Sequence, residues 1–256
     1  MRGKWIYAIV GVLVSGVIFI ASHFYEETAI RESSTKAVLY EEDSKLWAHR
    51  VYHSNEANAL LKEFKGVEID VIYDQTRGVF DIRHDEDDVF YDRPLEKFFS
   101  EIEGVNEYYY WLDFKNLNNR TVKEAQKRLN YLLDKFEVRN NVIVESCNPT
   151  ELGLLSKDSI FTSFWGPHFK LEELTDSDIE KEVRNLHKVL YENEINAISI
   201  HYTMVPFLEK YFSNCNVHIW TNGLTGRSGK IVIDQLHKKD FIKVILVDYK
   251  ENFILE

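Results

Sequence analysis

From residue 45 onward, short apolar runs alternate with amphipathic stretches. The runs at 45–51, 67–73, 108–115, 141–146, 159–165, 197–202, 216–221 and 243–248 have the length and apolar character of buried strands. Between them, 55–64, 94–102, 121–136, 150–157, 177–193, 204–212 and 229–238 carry helical spacing. In 121–136, Val122, Ala125, Leu129, Leu132 and Leu133 share one stripe. A further short strand is predicted at 79–83, joined to 67–73 by a turn from Asp74 to Gly78. Eight strands alternating with helices, with no residues left for a second domain, predict a single closed α/β barrel of the (β/α)8 TIM type over 45–256. A doubly wound open sheet is the runner-up, but the chain has neither GxGxxG nor a P-loop.

The pattern before residue 45 is different. Trp5 to Phe24 contains no Asp, Glu, Lys or Arg, and is apolar all round. A helix of that length spans roughly 30 Å, the thickness of a bilayer core. Arg2 and Lys4 precede it and Glu26 and Glu27 follow. The charge bias predicts a single-pass membrane anchor over 1–24 with a cytoplasmic N-terminus, which places the barrel outside the cytoplasm. A cleaved signal peptide is the competing reading, against which stand the length of the run and the lack of a clean Ala-x-Ala site. Residues 25–44 are polar and mixed in charge, as a tether would be.

The net charge of −11 argues against nucleic acid as a partner, since phosphate backbones attract basic proteins. An acidic surface still allows a local cationic pocket. The two cysteines, Cys147 and Cys215, fall at opposite rims of the predicted barrel, so no disulfide is expected between them. The oligomeric state is left open.

Charge inside the strand patterns carries the chemistry. Glu68 and Asp70, two apart in one run, share a face, while Val67, Ile69 and Val71 take the other. Asp113 and Lys115 repeat the arrangement in the next main strand, and His49 and His84 fall at neighbouring strand ends. Converging carboxylates repel one another and raise each other's pKa, which a hard cation relieves; an all-oxygen set suits one Mg²⁺ or Ca²⁺. Lys115 and Arg50 beside it would form a well for a phosphate, and the histidines could act as acid and base. Taken singly, each residue has an ordinary structural reading: a carboxylate cap, a hydrogen-bonded histidine, or a buried Glu68–Lys115 salt bridge. The acidic run from Asp85 to Asp88 reads as a solvated loop.

Trp47-Ala48-His49-Arg50, Glu68-x-Asp70-Val71, His84-Asp85, Leu112-Asp113-x-Lys115 and Ile219-Trp220-Thr221-Asn222 resemble, in order, the phospholipase-C-like phosphodiesterase barrels. That superfamily includes glycerophosphodiester phosphodiesterases and the sphingomyelinase D type. The resemblance implies catalytic roles for His49 and His84, and metal ligation by Glu68, Asp70 and Asp113. It also implies phosphate binding by Lys115 and a cleft-lining tryptophan at Trp220. Glu145, at a strand end, would be a further ligand or a polar liner. The glycerophosphodiesterase group usually carries a glycine where this chain has Val51, a glutamate where it has Asp113, and an insertion after the second histidine. Aspartate there and a short connection fit the sphingomyelinase D pattern better. Trp-Ala-His, Glu-x-Asp-Val and Leu-Asp-Phe-Lys are also similar to the menorin domain of the same superfamily, although proline commonly follows the histidine that corresponds to His84.

The expectation is an anchored phosphodiesterase outside the cytoplasm, acting on a phospholipid-derived or glycerophosphodiester substrate. Trp165, Tyr202 and Trp220 are candidates to receive an acyl chain or a choline group. The opposing expectation is a non-catalytic, menorin-like barrel that binds a lipid, glycan or protein partner.

Overall fold

The computed structural model describes residues 45–85 and 92–249. The expected membrane helix, the tether and the acidic run beyond Asp85 lie outside the described residues. Within them, no helix is long and apolar enough to cross a membrane.

Nine strands form one sheet: β1 (Leu46–Ala48), β2 (Gly66–Asp74), β3 (Val79–Ile82), β4 (Tyr109–Phe114), β5 (Val142–Ser146), β6 (Phe161–Trp165), β7 (Ala197–His201), β8 (Asn216–Trp220) and β9 (Ile242–Val247). All pairings are parallel except β2 with β3, and β1 pairs with both β9 and β2, so eight parallel strands close into a barrel. The strand pattern had predicted this closure. The helices are α1 (Ser54–Leu60), α2 (Leu95–Ser100), α3 (Val122–Lys135), α4 (Pro149–Lys157), α5 (Asp176–Glu192), α6 (Val205–Tyr211) and α7 (Gly226–His237).

Two apolar cores follow from the strand alternation. Outward side chains such as Val67, Ile69, Val71, Leu112 and Phe114 pack beneath the helices. There they meet the α3 stripe Val122, Ala125, Leu129, Leu132 and Leu133, all buried as predicted. Burying each leucine contributes about 1.5–3 kcal/mol. Inward side chains Trp47, Tyr109, Trp111, Ile143, Phe161, Val244 and Leu246 fill the barrel. Gly66 leaves room for this filling, because a Cβ there would stand 2.5 Å from Cδ2 of Trp47.

β1 is shorter than the predicted 45–51. Arg50 takes a left-handed conformation (φ 59°), which bends the chain out of the strand before Val51 N–H bonds to Glu68 O at 2.9 Å. α7 begins at Gly226, three residues earlier than the predicted 229. Cys147 follows β5, exposed, and Cys215 precedes β8, buried, so the two stand at opposite barrel ends.

Candidate active site

β2 carries Glu68 and Asp70 on its inward face at the C-terminal end of the barrel. Register places Asp70 beside Asp113 of β4, and Asp113 beside Glu145 of β5. One carboxylate oxygen from each of Glu68, Asp70 and Asp113 lies within 4.8 Å of the others. β2 then runs on past the barrel rim and turns at Gly78 (φ 66°) into the antiparallel strand β3. The hairpin brings the chain back, Arg83 N–H bonds to Asp70 O at 3.2 Å, and His84 arrives at the rim. β1 delivers His49 from the other side, where its backbone N–H bonds to Val247 O.

These groups share a cleft of about 180 Å³, lined among others by His49, Arg50, His84, Lys115, Trp165 and Trp220. The predicted catalytic, metal-ligating and phosphate-binding residues thus meet at one mouth, Glu68, Asp70, Asp113 and Glu145 included. Lys115 pairs with Asp70 (2.8 Å) and Asp113 (2.5 Å) rather than forming the Glu68–Lys115 bridge of the structural alternative. The reason is spacing: Asp70 stands level with Asp113, so Lys115, just beyond β4, lies two residues above Asp70 and four above Glu68. Arg50 meets Glu68 through its backbone N–H (2.7 Å to Oε2), and its side chain is exposed at the rim.

Three residues join the site that the sequence had not marked. Asp248 Oδ1 lies 2.7 Å from His49 Nδ1, and Tyr52 donates to Asp70 Oδ2 at 2.5 Å. Asn222 lines the cleft beyond Trp220. Asn222 stood inside a motif already quoted, Asp248 closes the predicted strand 243–248 without having been marked, and Tyr52 follows the predicted strand 45–51 without a signal. Of the three candidate aromatics, Trp165 and Trp220 line the cleft, their ring centroids 6.3 Å apart; Tyr202 is not among its lining residues.

The electrostatics follow the crowding. Burial, then Asp70 and Asp113, hold the Glu68 carboxyl well above the usual carboxylate range. Burial also raises Asp113, with Asp70 adding to it against the pull of Lys115. For Lys115, burial opposes the charge, but Asp113 and Asp70 outweigh it and raise its pKa. The hydrogen bond from His49 lowers Asp248. Deeper in the barrel, Glu145 accepts hydrogen bonds from Trp111 Nε1 (2.9 Å) and Ser199 Oγ, and burial pushes it up to about 8. Beneath it, burial pushes the wholly enclosed His218 down to about 3, with its Nδ1 2.9 Å from Ser163 Oγ.

The donor set fits a divalent cation. One ammonium, Lys115, stands against three clustered carboxylates, leaving two negative charges when all are ionised. All-oxygen donors of this kind suit Mg²⁺ or Ca²⁺.

Solved structures share this fold. A glycerophosphodiester phosphodiesterase from Parabacteroides distasonis superposes with a TM-score of 0.58 at 14% identity, over 80% of this chain and 92% of that one. One from Thermotoga maritima gives 0.58 at 16% identity, over 82% and 96%. A calcium-dependent phosphoinositol-specific phospholipase C from a Pseudomonas species gives 0.51 at 10% identity, over 80% and 88%. The fold is therefore the barrel that these phosphodiesterases share. No family profile matches the chain. No protein of curated function matches it either.

Proposed function

We propose that this chain is a phosphodiesterase, held outside the cytoplasm by its N-terminal helix, that cleaves a phospholipid-derived or glycerophosphodiester substrate. One observation carries the reading: two buried carboxylates and one partly buried converge within 4.8 Å in a cleft flanked by two histidines. Independent structural roles do not require that convergence, and the fold-sharing phosphodiesterases support the same chemistry.

Glu68, Asp70 and Asp113 would hold one Mg²⁺ or Ca²⁺, which supplies Lewis acidity toward the phosphoryl oxygens. Lys115 adds positive charge beside Asp70 and Asp113, and with Arg50 at the rim it favours an anionic substrate in an otherwise acidic protein.

His49 and His84 differ in their settings. His49 is buried, and Asp248 engages its Nδ1, so Nε2 is turned toward the cleft, 3.8 Å from Glu68 Oε2. A histidine held this way accepts a proton at Nε2 while the carboxylate stabilises the imidazolium. His84 is exposed at the rim, with Nδ1 2.8 Å from Asp85 Oδ2. In the proposed reaction the attacking oxygen gives its proton to His49 Nε2 as the new P–O bond forms. The leaving oxygen takes a proton from His84 as the old P–O bond breaks.

The test uses the full chain in detergent micelles, with Mg²⁺ or Ca²⁺ or with chelator, against lysophospholipids and glycerophosphodiesters followed by phosphorus NMR. A chelator-sensitive product signal is expected. A cyclic phosphate would identify a substrate hydroxyl as the attacking group, and a monoester would identify water. Glu68→Gln keeps an acceptor for Arg50 N–H and should stay folded while losing about 10²-fold or more in rate. Turnover that survives both chelator and this substitution would rule the reading out.

A further inference from the structure

Two histidines outside the carboxylate cluster aim at one point. His168 Nε2 lies 2.9 Å and His201 Nδ1 2.8 Å from the same oxygen, Thr203 Oγ1. We propose that this pair is a site for a transition metal ion of the Zn²⁺ or Cu²⁺ class, bound in place of the Thr203 hydroxyl and felt at the cleft wall. The site shares no residue with Glu68, Asp70 and Asp113, so it stands or falls apart from the phosphodiesterase reading.

The backbone sets the pair in advance. His201 ends β7, and Thr203 sits in the single turn Tyr202–Met204 that follows. His168 comes from the loop after β6, which is fastened on both sides of it. Gly166 N–H donates to Ser199 O at 2.8 Å, and the Phe169 ring meets Phe207 of α6 edge-on, with centroids 6.0 Å apart. The two imidazole centroids are 5.2 Å apart. That separation is too short for nitrogens that approach the hydroxyl from opposite sides. They reach it from one side, as two ligands of one tetrahedral ion do. Metal–nitrogen bonds of about 2.1 Å ask each nitrogen to move in by less than an ångström. Thr203 is exposed, so its hydroxyl can rotate out of the way.

The tautomer of His201 suits a ligand. A carbonyl only accepts, so His201 Nε2, 3.4 Å from Asn222 O, is the nitrogen that carries the ring proton. Nδ1 then presents its lone pair to the shared point. A metal-bound histidine commonly donates its other N–H to a backbone carbonyl in this way, which fixes the ring for the ion. Burial lowers the His201 pKa, with Asn222 O opposing it and His168 adding to it, and the ring is held in the neutral form that ligation requires. His168 is exposed, and its tautomer can follow through water.

The donor atoms select the ion. Imidazole nitrogens suit Zn²⁺, Cu²⁺ or Ni²⁺, whereas Mg²⁺ and Ca²⁺ take oxygen. Solvent on the exposed side completes the coordination, so the ion is exchangeable. Its occupancy reaches the cleft because the His201 ring packs on Trp220, 5.0 Å between centroids, and Trp220 and Asn222 line the cleft.

The test uses the full chain in micelles with saturating Mg²⁺ present to occupy the carboxylates. Bound Cu²⁺ quenches tryptophan emission at short range, and Trp220 lies against His201. One equivalent of Cu²⁺ should quench, and Zn²⁺ should reverse the quenching by competition. His168→Gln and His201→Gln should each weaken Cu²⁺ binding by about tenfold or more, with the fold checked by circular dichroism. His168 is exposed, so its variant gives a folded reading whatever happens to the other. Thr203→Ala vacates the shared point and should bind no more weakly than the parent chain. Absence of quenching, or quenching that survives both histidine substitutions, would overturn the proposal. Weaker binding by Thr203→Ala would overturn the displacement of the hydroxyl. The readout is emission rather than turnover, so a chain that cleaves no diester can still pass.

Discussion

His49 Nδ1 and Asp248 Oδ1 lie 2.7 Å apart although 199 residues separate them in the chain. β1 and β9 pair in parallel, so the residues that leave their ends, His49 and Asp248, emerge side by side at the barrel mouth. The carboxylate fixes which ring nitrogen faces the cleft.

Replacing Asp248 with Asn keeps the size of the side chain and removes its charge. The variant should fold normally and lose about 10–10²-fold in kcat with a smaller change in KM. Steady-state rates check this, and an unchanged kcat would remove Asp248 from the proposed mechanism.

Lys115 bridges Asp70 and Asp113. Lys115→Met should cost about 3–5 kcal/mol in chelator, because two buried carboxylates lose their counter-charge. Millimolar Mg²⁺ or Ca²⁺ should restore more of the melting temperature in this variant than in the parent chain. Identical responses to cation would show that the carboxylates do not bind it.

His218 makes acid stability a separate test. Its pKa falls from 6.5 in the unfolded chain to about 3 in the barrel, where burial excludes the charge. Between those values the unfolded chain takes up a proton that the folded chain refuses. Stability is therefore complete above pH 6.5 and lost on acidification toward pH 3, by up to about 1.4 kcal/mol per pH unit. His218→Gln should flatten that loss. Urea midpoints of the two chains between pH 7 and pH 4 should converge as the pH falls, and parallel curves would contradict the shift.

The exposed thiol of Cys147 and the buried one of Cys215 provide a test of topology. A membrane-impermeant maleimide added to intact cells should label Cys147 if the barrel faces outward. Labelling that appears only after lysis would place the barrel in the cytoplasm and refute the anchored orientation.

The barrel was legible because each strand and helix repeats its own period. Glu68, Asp70 and Asp113 were legible because charge in an apolar run is costly unless something uses it. What the sequence hid were partners. Tyr52 and Asp248 stand at or just past the ends of predicted strands, where a polar residue is usual, and only the fold brings them to Asp70 and His49. The contact made by Arg50 was hidden for another reason. Arginine suggested a guanidinium on phosphate, but the left-handed bend at that residue turns a backbone N–H onto Glu68.

The pairing of β1 with β9 also bears on when the protein becomes competent. His49 is made early, yet the carboxylate that orients it follows the last barrel strand. A growing chain therefore holds its clustered carboxylates and its first histidine before that histidine is oriented. Closure of the barrel acts as its own safety catch, since His49 meets Asp248 only after the final strand has docked.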